Sequence, residues 1–343
     1  MNILITGGCG FLGARLARTL LAQGTLSLAG AAAQPITRIT LADRVPPPDD
    51  LAQDPRIAFA GGDLNEQLEK GQLPLAGTAL IFHLAAAVSG ECEADFDLGM
   101  RSNLDATRAL LEGCRALGTK PVLVFSSSVA VFGNSPEQPL PAVIEDTTLP
   151  TPQGSYGVQK FMGEQLVADY TRKGFVQGRS VRLMTVSVRP GRPNGAASSF
   201  LSGMIREPLA GVRATVPVPP DTAVALSSPA NTVRGLLRAA QASGAEWGAR
   251  TAVNLPALTT TVREMAAALE RVAGPAATAL LDWDIDEGIK AIVGSWPSRV
   301  ETARAQAIGL QADTGFEAVI RDYVRENPGA VKLALQPGLQ QEL

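Results

Sequence analysis

The chain has 343 residues, enough for one large or two modest domains with real hydrophobic cores. Its 30 Lys plus Arg against 33 Asp plus Glu leave a formal charge of −3, so no net basic field exists to gather a nucleic-acid backbone. With 45% hydrophobic and 18% charged residues it is not a disordered chain, and no apolar run approaches the ~18 residues that span a bilayer. The three cysteines, Cys9, Cys92 and Cys114, are odd in number and far apart, and the first residues carry neither a cationic segment nor a cleavage signal. These features predict a reduced, cytoplasmic protein with no disulfide framework and no membrane or nucleic-acid partner.

Apolar runs at 3–6, 39–42, 57–60, 79–84, 122–126 and 181–188 predict strands, with helices expected at 12–23, 97–117 and 156–171 between them. Continuously apolar strands alternating with helices imply a parallel sheet covered on both faces. Leucines at 12, 16 and 20 share one helical stripe, and Gly24 stops that helix. Past residue 188 the composition turns rich in Pro and Gly, which marks the expected start of a second lobe. There, helices are predicted at 230–242, 261–272 and 315–326 and a strand at 251–255, while 24–35 and 46–54 read as irregular surface insertions.

The first strand runs into Thr-Gly-Gly-Cys-Gly-Phe-Leu-Gly (6–13) and then into a helix. Glycines so spaced let the backbone turn tightly and approach a pyrophosphate, while the helix N-terminus supplies amides and positive dipole. Gly7, Gly10, Phe11, Leu12 and Gly13 are therefore the expected phosphate site of a dinucleotide, a Gly-rich turn without a ligand being the alternative. Asp43 ends the second strand, where a carboxylate accepts from both ribose hydroxyls and repels a 2′-phosphate. This favours NAD over NADP, with Arg44 as a contrary signal. Asp63, followed by Leu64, either sits beside the adenine or caps a helix.

The strand at 121–125 ends in Ser126, Ser127 and Ser128, and some thirty residues later come Tyr156 and Lys160. Four residues apart on a helix, a phenol and an ammonium share a face, and the cation is expected to pull the phenol pKa down to make a usable base. His83 is the only histidine, which leaves nothing to build a histidine-based metal site or a Ser-His triad. It is expected to be a core residue bonded to backbone.

Taken together, TGGCGFLG (6–13), GDL (62–64), HLAA (83–86), SNLDATRALLEGC (102–114), FSSSVAVFG (125–133) and YGVQK (156–160) resemble the extended short-chain dehydrogenases/reductases, the NAD-dependent epimerase/dehydratase superfamily, over essentially the whole chain. The resemblance implies an α/β fold, a Rossmann-type doubly wound parallel sheet with a smaller C-terminal substrate lobe. The expected division is an NAD-binding domain over 1–188, rejoined by part of 222–256, and a substrate lobe over 189–343. It also implies Tyr156 as general base, Lys160 holding the nicotinamide ribose and tuning Tyr156, and Ser128 orienting the substrate oxygen. The three serines leave that last choice open; Ser126 and Ser127 would then line the nicotinamide pocket. Leu84, Ala85 and Ala86 would form the loop crossing the cofactor, with Asn103 buried beneath the active-site strands. Helices 97–117 and 156–171 would pair across a two-fold axis into a homodimer.

The departures bear on the substrate. Phe132 replaces the Tyr that epimerases carry before the glycine of the serine segment, and the aromatic ahead of the buried Asn is missing at 99–102. Segments 87–91, 94–97, 188–194 and 196–200 resemble the D-erythronate dehydrogenase subgroup, which implies NAD-dependent oxidation of D-erythronate at C2 to 2-oxo-D-erythronate. Such a small sugar acid needs a cation for its carboxylate and hydroxyls for its other oxygens. Ser89, Arg192, Ser198 and Ser199 are available near the expected pocket, and Arg299 from the second lobe. Ser198 and Ser199 read equally as helix caps, Arg189 as a structural ion-pair partner, and Trp283 and Trp296 as lobe packing. Which Arg takes the carboxylate stays open, and the rival functions are a nucleotide-sugar epimerase or dehydratase and a non-catalytic NAD-sensing module.

Overall fold

The computed structural model describes residues 1–191 and 195–336. Strand alternation builds the first core. In β1 (Asn2–Thr6), Ile3 and Ile5 face one side of the sheet and Leu4 the other. The same division recurs in β2 (Arg38–Asp43), β3 (Ile57–Gly61), β4 (Thr78–His83) and β5 (Val122–Ser128). With β6 (Gln177–Leu183) and β7 (Val253–Asn254) they form a seven-stranded parallel sheet in the order β7-β6-β5-β4-β1-β2-β3. Winding reverses between β1 and β4, and in doubly wound sheets ligands bind in the crevice outside the strand ends at that point.

Helices cover both faces. Leu16 and Leu20 of α1 (Phe11–Gln23) pack on one side, and Leu110 and Leu111 of α2 (Ala106–Leu117) with Val167 of α3 (Ser155–Arg172) on the other. A second core lies among α4 (Phe200–Leu209), the parallel pair Ala214–Val216 with Leu281–Trp283, α6 (Val262–Ala273) and α7 (Phe316–Glu326). Between these elements the chain returns to the first core through α5 (Pro229–Gln241), β7, and then Ala305, Ile308 and Leu310. The expected start of a separate lobe at 189 thus misses a late contribution from 303–310. All three cysteines are free, and among the described residues no helix is long and apolar enough to cross a membrane.

Three elements differ from expectation. β6 ends at Leu183 instead of running through 181–188, and Thr185–Val186 leaves it to pair with Ala223–Ser227 in a small separate sheet. Its start was hidden because Arg179 and Arg182 break the apolar run although both are buried. The helix expected over 97–117 is a turn at Phe96–Gly99, a π-helical segment at Met100–Asp105, and only then α2. Segments 24–35 and 46–54 hold a two-residue strand pair and a short helix.

Arg182 reaches a carboxylate beneath the sheet. Its Nη2 and Nε donate to Glu164 at 2.7 and 2.9 Å, Ser127 Oγ donates to the same carboxylate, and the guanidinium lies 4.8 Å from the Phe132 ring centroid. Removing one member of a buried ion pair strands the other charge. Arg182→Leu should therefore lower stability by about 3–5 kcal/mol, read by urea denaturation, and the double change with Glu164→Leu should lose less.

Candidate active site

The cleft at the switch point is shaped by the absence of side chains. A Cβ on Gly7, whose φ is +67°, would sit 2.8 Å from Ala85 N, and one on Gly13 would sit 2.2 Å from Gly7 O. No acidic residue occupies the first turn of α1 and no side chain caps it, so its positive end faces the cleft with Phe11 and Leu12 in the wall. Gly7, Gly10, Leu84 and Ala86 line both halves of the cleft. Toward β2 the lining adds Asp43, Arg44, Asp63, Leu64 and Ala85. The Asp43 carboxylate accepts from Cys9 N at 3.0 Å and Val45 N at 3.3 Å, which fixes it at the rim. Asp63 caps a helix through Asn65 N and Glu66 N, and it also lines the cleft. A pyrophosphate fits the glycine cradle, and a ribose fits the rim beside Asp43.

The other half holds Ser126, Ser127, Ser128, Tyr156 and Lys160. Ser126 Oγ donates to His83 O and Ser127 Oγ to Glu164, so both hydroxyls are committed to the scaffold. Ser128 Oγ accepts from Ala130 N at 3.1 Å, which leaves its own proton to give, and it is hydrogen-bonded to Tyr156. Lys160 Nζ donates to Ser126 O at 2.9 Å and lies 5.7 Å from the Tyr156 ring centroid. Burial pushes the Lys160 ammonium down to about 8 and the Tyr156 phenol up to about 12. The groups opposing burial at Tyr156 are the Ser128 hydroxyl and the Arg189 guanidinium, and Lys160 is not among them.

Substrate-side expectations divide. Ser89 and Ser198, both buried, line the cavity beside Tyr156, and Ser89 Oγ accepts from Ala197 N at 3.2 Å. Ser199 is half-buried and outside the lining. Arg299 is exposed and also outside it, because its backbone carbonyl pairs with Ile144 N while Trp296 from the same loop turns inward as a wall. Arg192 lies outside the described residues. Arg189, read from the sequence as a structural ion-pair partner, and Trp296, read first as lobe packing with a pocket wall as the alternative, both line the cavity. The mixed glycine and arginine run at 188–194 was the available signal for Arg189, and the position just after a helix was the signal for Trp296 as a wall.

Asn103 does not line the cleft. Its side chain accepts from Ala87 N at 2.8 Å and donates to Ala87 O and Gln159 Oε1, so it acts on the cofactor loop from behind. His83 is bonded to two hydroxyls, not to backbone. Thr107 Oγ1 donates to Asn103 O, so it accepts from His83 Nε2, and Thr6 Oγ1, accepting from Ala85 N, donates to Nδ1. The chain of donors requires a neutral ring, and burial holds its pKa down at about 3.

Residues 3–225 match the NAD dependent epimerase/dehydratase family. The D-erythronate dehydrogenase of Cupriavidus necator is 51% identical over 334 residues, covering 97% of this chain and all of that protein. The D-erythronate dehydrogenase of Haemophilus influenzae is 42% identical, covering 94% of this chain and 99% of its own. A crystal structure of the nucleoside-diphosphate-sugar epimerase from Agrobacterium tumefaciens superposes with a TM-score of 0.87 at 39% identity, covering 96% of this chain and 95% of that one. The chain belongs to the NAD dependent epimerase/dehydratase family.

As a member of that family the protein is an NAD-dependent enzyme, and a carboxylate at the β2 rim would repel a 2′-phosphate. Asp43→Ala should shrink the kcat/KM preference for NAD over NADP by about tenfold or more, measured with both cofactors at fixed substrate. His83, neutral when folded and titrating near its ordinary 6.5 when unfolded, binds more protons unfolded at intermediate pH. Its contribution to stability is complete above pH 6.5 and lost as pH falls toward 3. Between pH 6.5 and 5 the loss should approach about 1.4 kcal/mol per unit, seen as a falling Tm that His83→Gln no longer shows.

Proposed function

We propose that this enzyme oxidises the C2 hydroxyl of D-erythronate to 2-oxo-D-erythronate with NAD. The observation that carries the reading is the 51% identity to a D-erythronate dehydrogenase across that protein's whole length, joined to Ser128, Tyr156 and Lys160 lining one cavity. We assign Gly7, Gly10, Phe11, Leu12, Gly13, Asp43, Asp63, Leu64, Leu84, Ala85, Ala86 and Ser126 to the cofactor and Ser89 and Ser198 to the substrate hydroxyls.

Tyr156, as phenolate, takes the proton of the C2 hydroxyl. Ser128, whose proton is directed at Tyr156, turns that proton to the same oxygen as it becomes a carbonyl, a contact that strengthens along the reaction. Lys160, fixed by Ser126 O near the Tyr156 ring, would hold the nicotinamide ribose of bound NAD. Bound NAD supplies the nicotinamide that accepts hydride from C2. Because the phenol is held high, the base form grows with pH, and kcat/KM should rise from pH 7 toward pH 10.

NADH formation at 340 nm with C4 to C6 aldonates, beside UDP-glucose and UDP-galactose, tests the reading. Selective reduction with D-erythronate is expected; activity with the nucleotide sugars alone, or NAD binding without turnover, would assign the chain to the rival functions. Tyr156→Phe should lower kcat by at least about 10³-fold while NAD binding by calorimetry is unchanged.

We also infer a cytoplasmic homodimer. Val158 and Met162, one turn apart on α3, are 41% and 40% exposed on the face turned away from the sheet. Light scattering at micromolar concentration should return twice the chain mass, and Met162→Glu should lower it to one.

A further inference from the structure

Arg189 is an unusual residue to find in a cavity wall. It follows the small sheet that joins the two lobes, and its backbone is locked on both sides: its N–H donates to Ser202 Oγ at 3.0 Å, and its carbonyl accepts from Arg206 Nη1 at 2.8 Å. The side chain forms no ion pair and no hydrogen bond among the described residues, and Nη2 is buried without a partner. A buried guanidinium nitrogen left unpaired costs free energy unless something else accepts from it. Among the described residues, the other cations near it are engaged. Arg206 is bonded to Glu207, and Lys160 to Ser126 O. Among the described residues, no carboxylate lines the cavity it shares with Tyr156, Ser89, Ser198 and Trp296.

We propose that Arg189 is the substrate-carboxylate anchor, and that the same charge assists Tyr156 as a base. This rests on the reading above that the substrate is a small 2-hydroxy acid. A planar fork of donors matches a carboxylate in two parallel hydrogen bonds, and that pairing carries orientation as well as affinity. Holding the carboxylate from the wall beside Tyr156 places C2, one bond away, next to the phenol oxygen. The guanidinium also favours phenolate over phenol. The groups acting on Tyr156 are Ser128 and Arg189, which favour the charged form, and Cys92, which opposes it, while Arg189 itself faces Arg206 and Tyr156. A site that hydrogen-bonds one substrate group rejects analogues lacking it far more strongly than a pocket that only fits shape.

The test compares D-erythronate with D-erythronamide, its uncharged carboxamide, in wild type, Arg189→Lys, Arg189→Gln and Arg192→Gln, with thermal melts to exclude unfolded protein. Arg189→Gln should lower kcat/KM for the acid by about 10²-fold or more and for the amide by less than tenfold, with Arg189→Lys between. The acidic limb of the pH profile should move to higher pH in Arg189→Gln and be largely restored in Arg189→Lys. Equal losses on acid and amide with an unmoved limb, or a selective loss in Arg192→Gln instead, would overturn the assignment. Calorimetric titration of the NADH-loaded enzyme with D-erythronate, which cannot turn over, separates the two readings. Binding that needs Arg189 without oxidation by the NAD form would sink the proposed reaction and keep the anchor; wild-type binding and turnover in Arg189→Gln would do the reverse. Neither binding nor turnover in wild type would remove both.

Discussion

The carboxyl ends of β1 and β4 approach so closely that Gly7 touches the backbone of Ala85, and the active site is assembled around that contact. Any side chain at residue 7 would push the 84–87 loop away and open the floor of the cleft. From there the structure is tied laterally. Ala85 N donates to Thr6, Thr6 to His83, His83 to Thr107, and Thr107 to Asn103, whose own side chain grips Ala87 and Gln159. Gln159 precedes Lys160 on α3, so one run of hydrogen bonds joins the phosphate loop to the helix that carries Tyr156. The π-helical turn at Met100–Asp105 lets Asn103 face inward at that crossing, in keeping with the frequency of such turns at functional sites.

Burial gives this site its electrostatic character. Tyr156, Lys160 and His83 all shift toward their neutral forms, and in each the largest cause is removal from water. For His83 that is useful, since a neutral ring completes its donor chain. For Tyr156 it opposes the base role, and the protein answers with short-range polar partners instead of exposure. Ser128 and Arg189 act against the loss of water at the phenol, while Lys160 is held by a carbonyl slightly to one side. Charge enters this cavity only where a named partner offsets its desolvation, which is why an unpaired guanidinium in the wall points to a ligand.

What could be read from the sequence follows how local each feature is. The glycine loop, the strand ending in serines and the Tyr-Lys pair each depend on a few consecutive residues or one helical turn, and their positions follow from pattern alone. β6 was misplaced because Arg179 and Arg182 look like surface residues until Glu164, on another element, is brought against one of them. Asn103 sits beside the site as the motif implied, yet its work is done through Ala87 backbone, a contact set by the π-helical turn. Arg189, Trp296 and the outward Arg299 depend on how the second lobe folds across the first, and no spacing rule encodes that.

The seam between the lobes decides which of those residues face the substrate. Three bonds pin the loop that carries Trp296. Asn134 N donates to Ser295 O at 2.8 Å, Thr259 Oγ1 to Ser298 O at 2.7 Å, and Ile144 N to Arg299 O at 2.9 Å. Two of the three come from the segment following Ser126–Ser128, so the wall is referenced to the Tyr156 side of the cleft and not to the second lobe alone. With residues 144 and 299 paired backbone to backbone, the Arg299 side chain is left outward while Trp296 closes the pocket. The groups proposed for proton removal, Ser128, Tyr156 and Lys160, thus lie on a strand and a helix of the first domain. The walls proposed to face the substrate, Arg189 and Trp296, come from two loops at the seam between the two cores, so the seam can be rebuilt while the helix that carries Tyr156 stays in place.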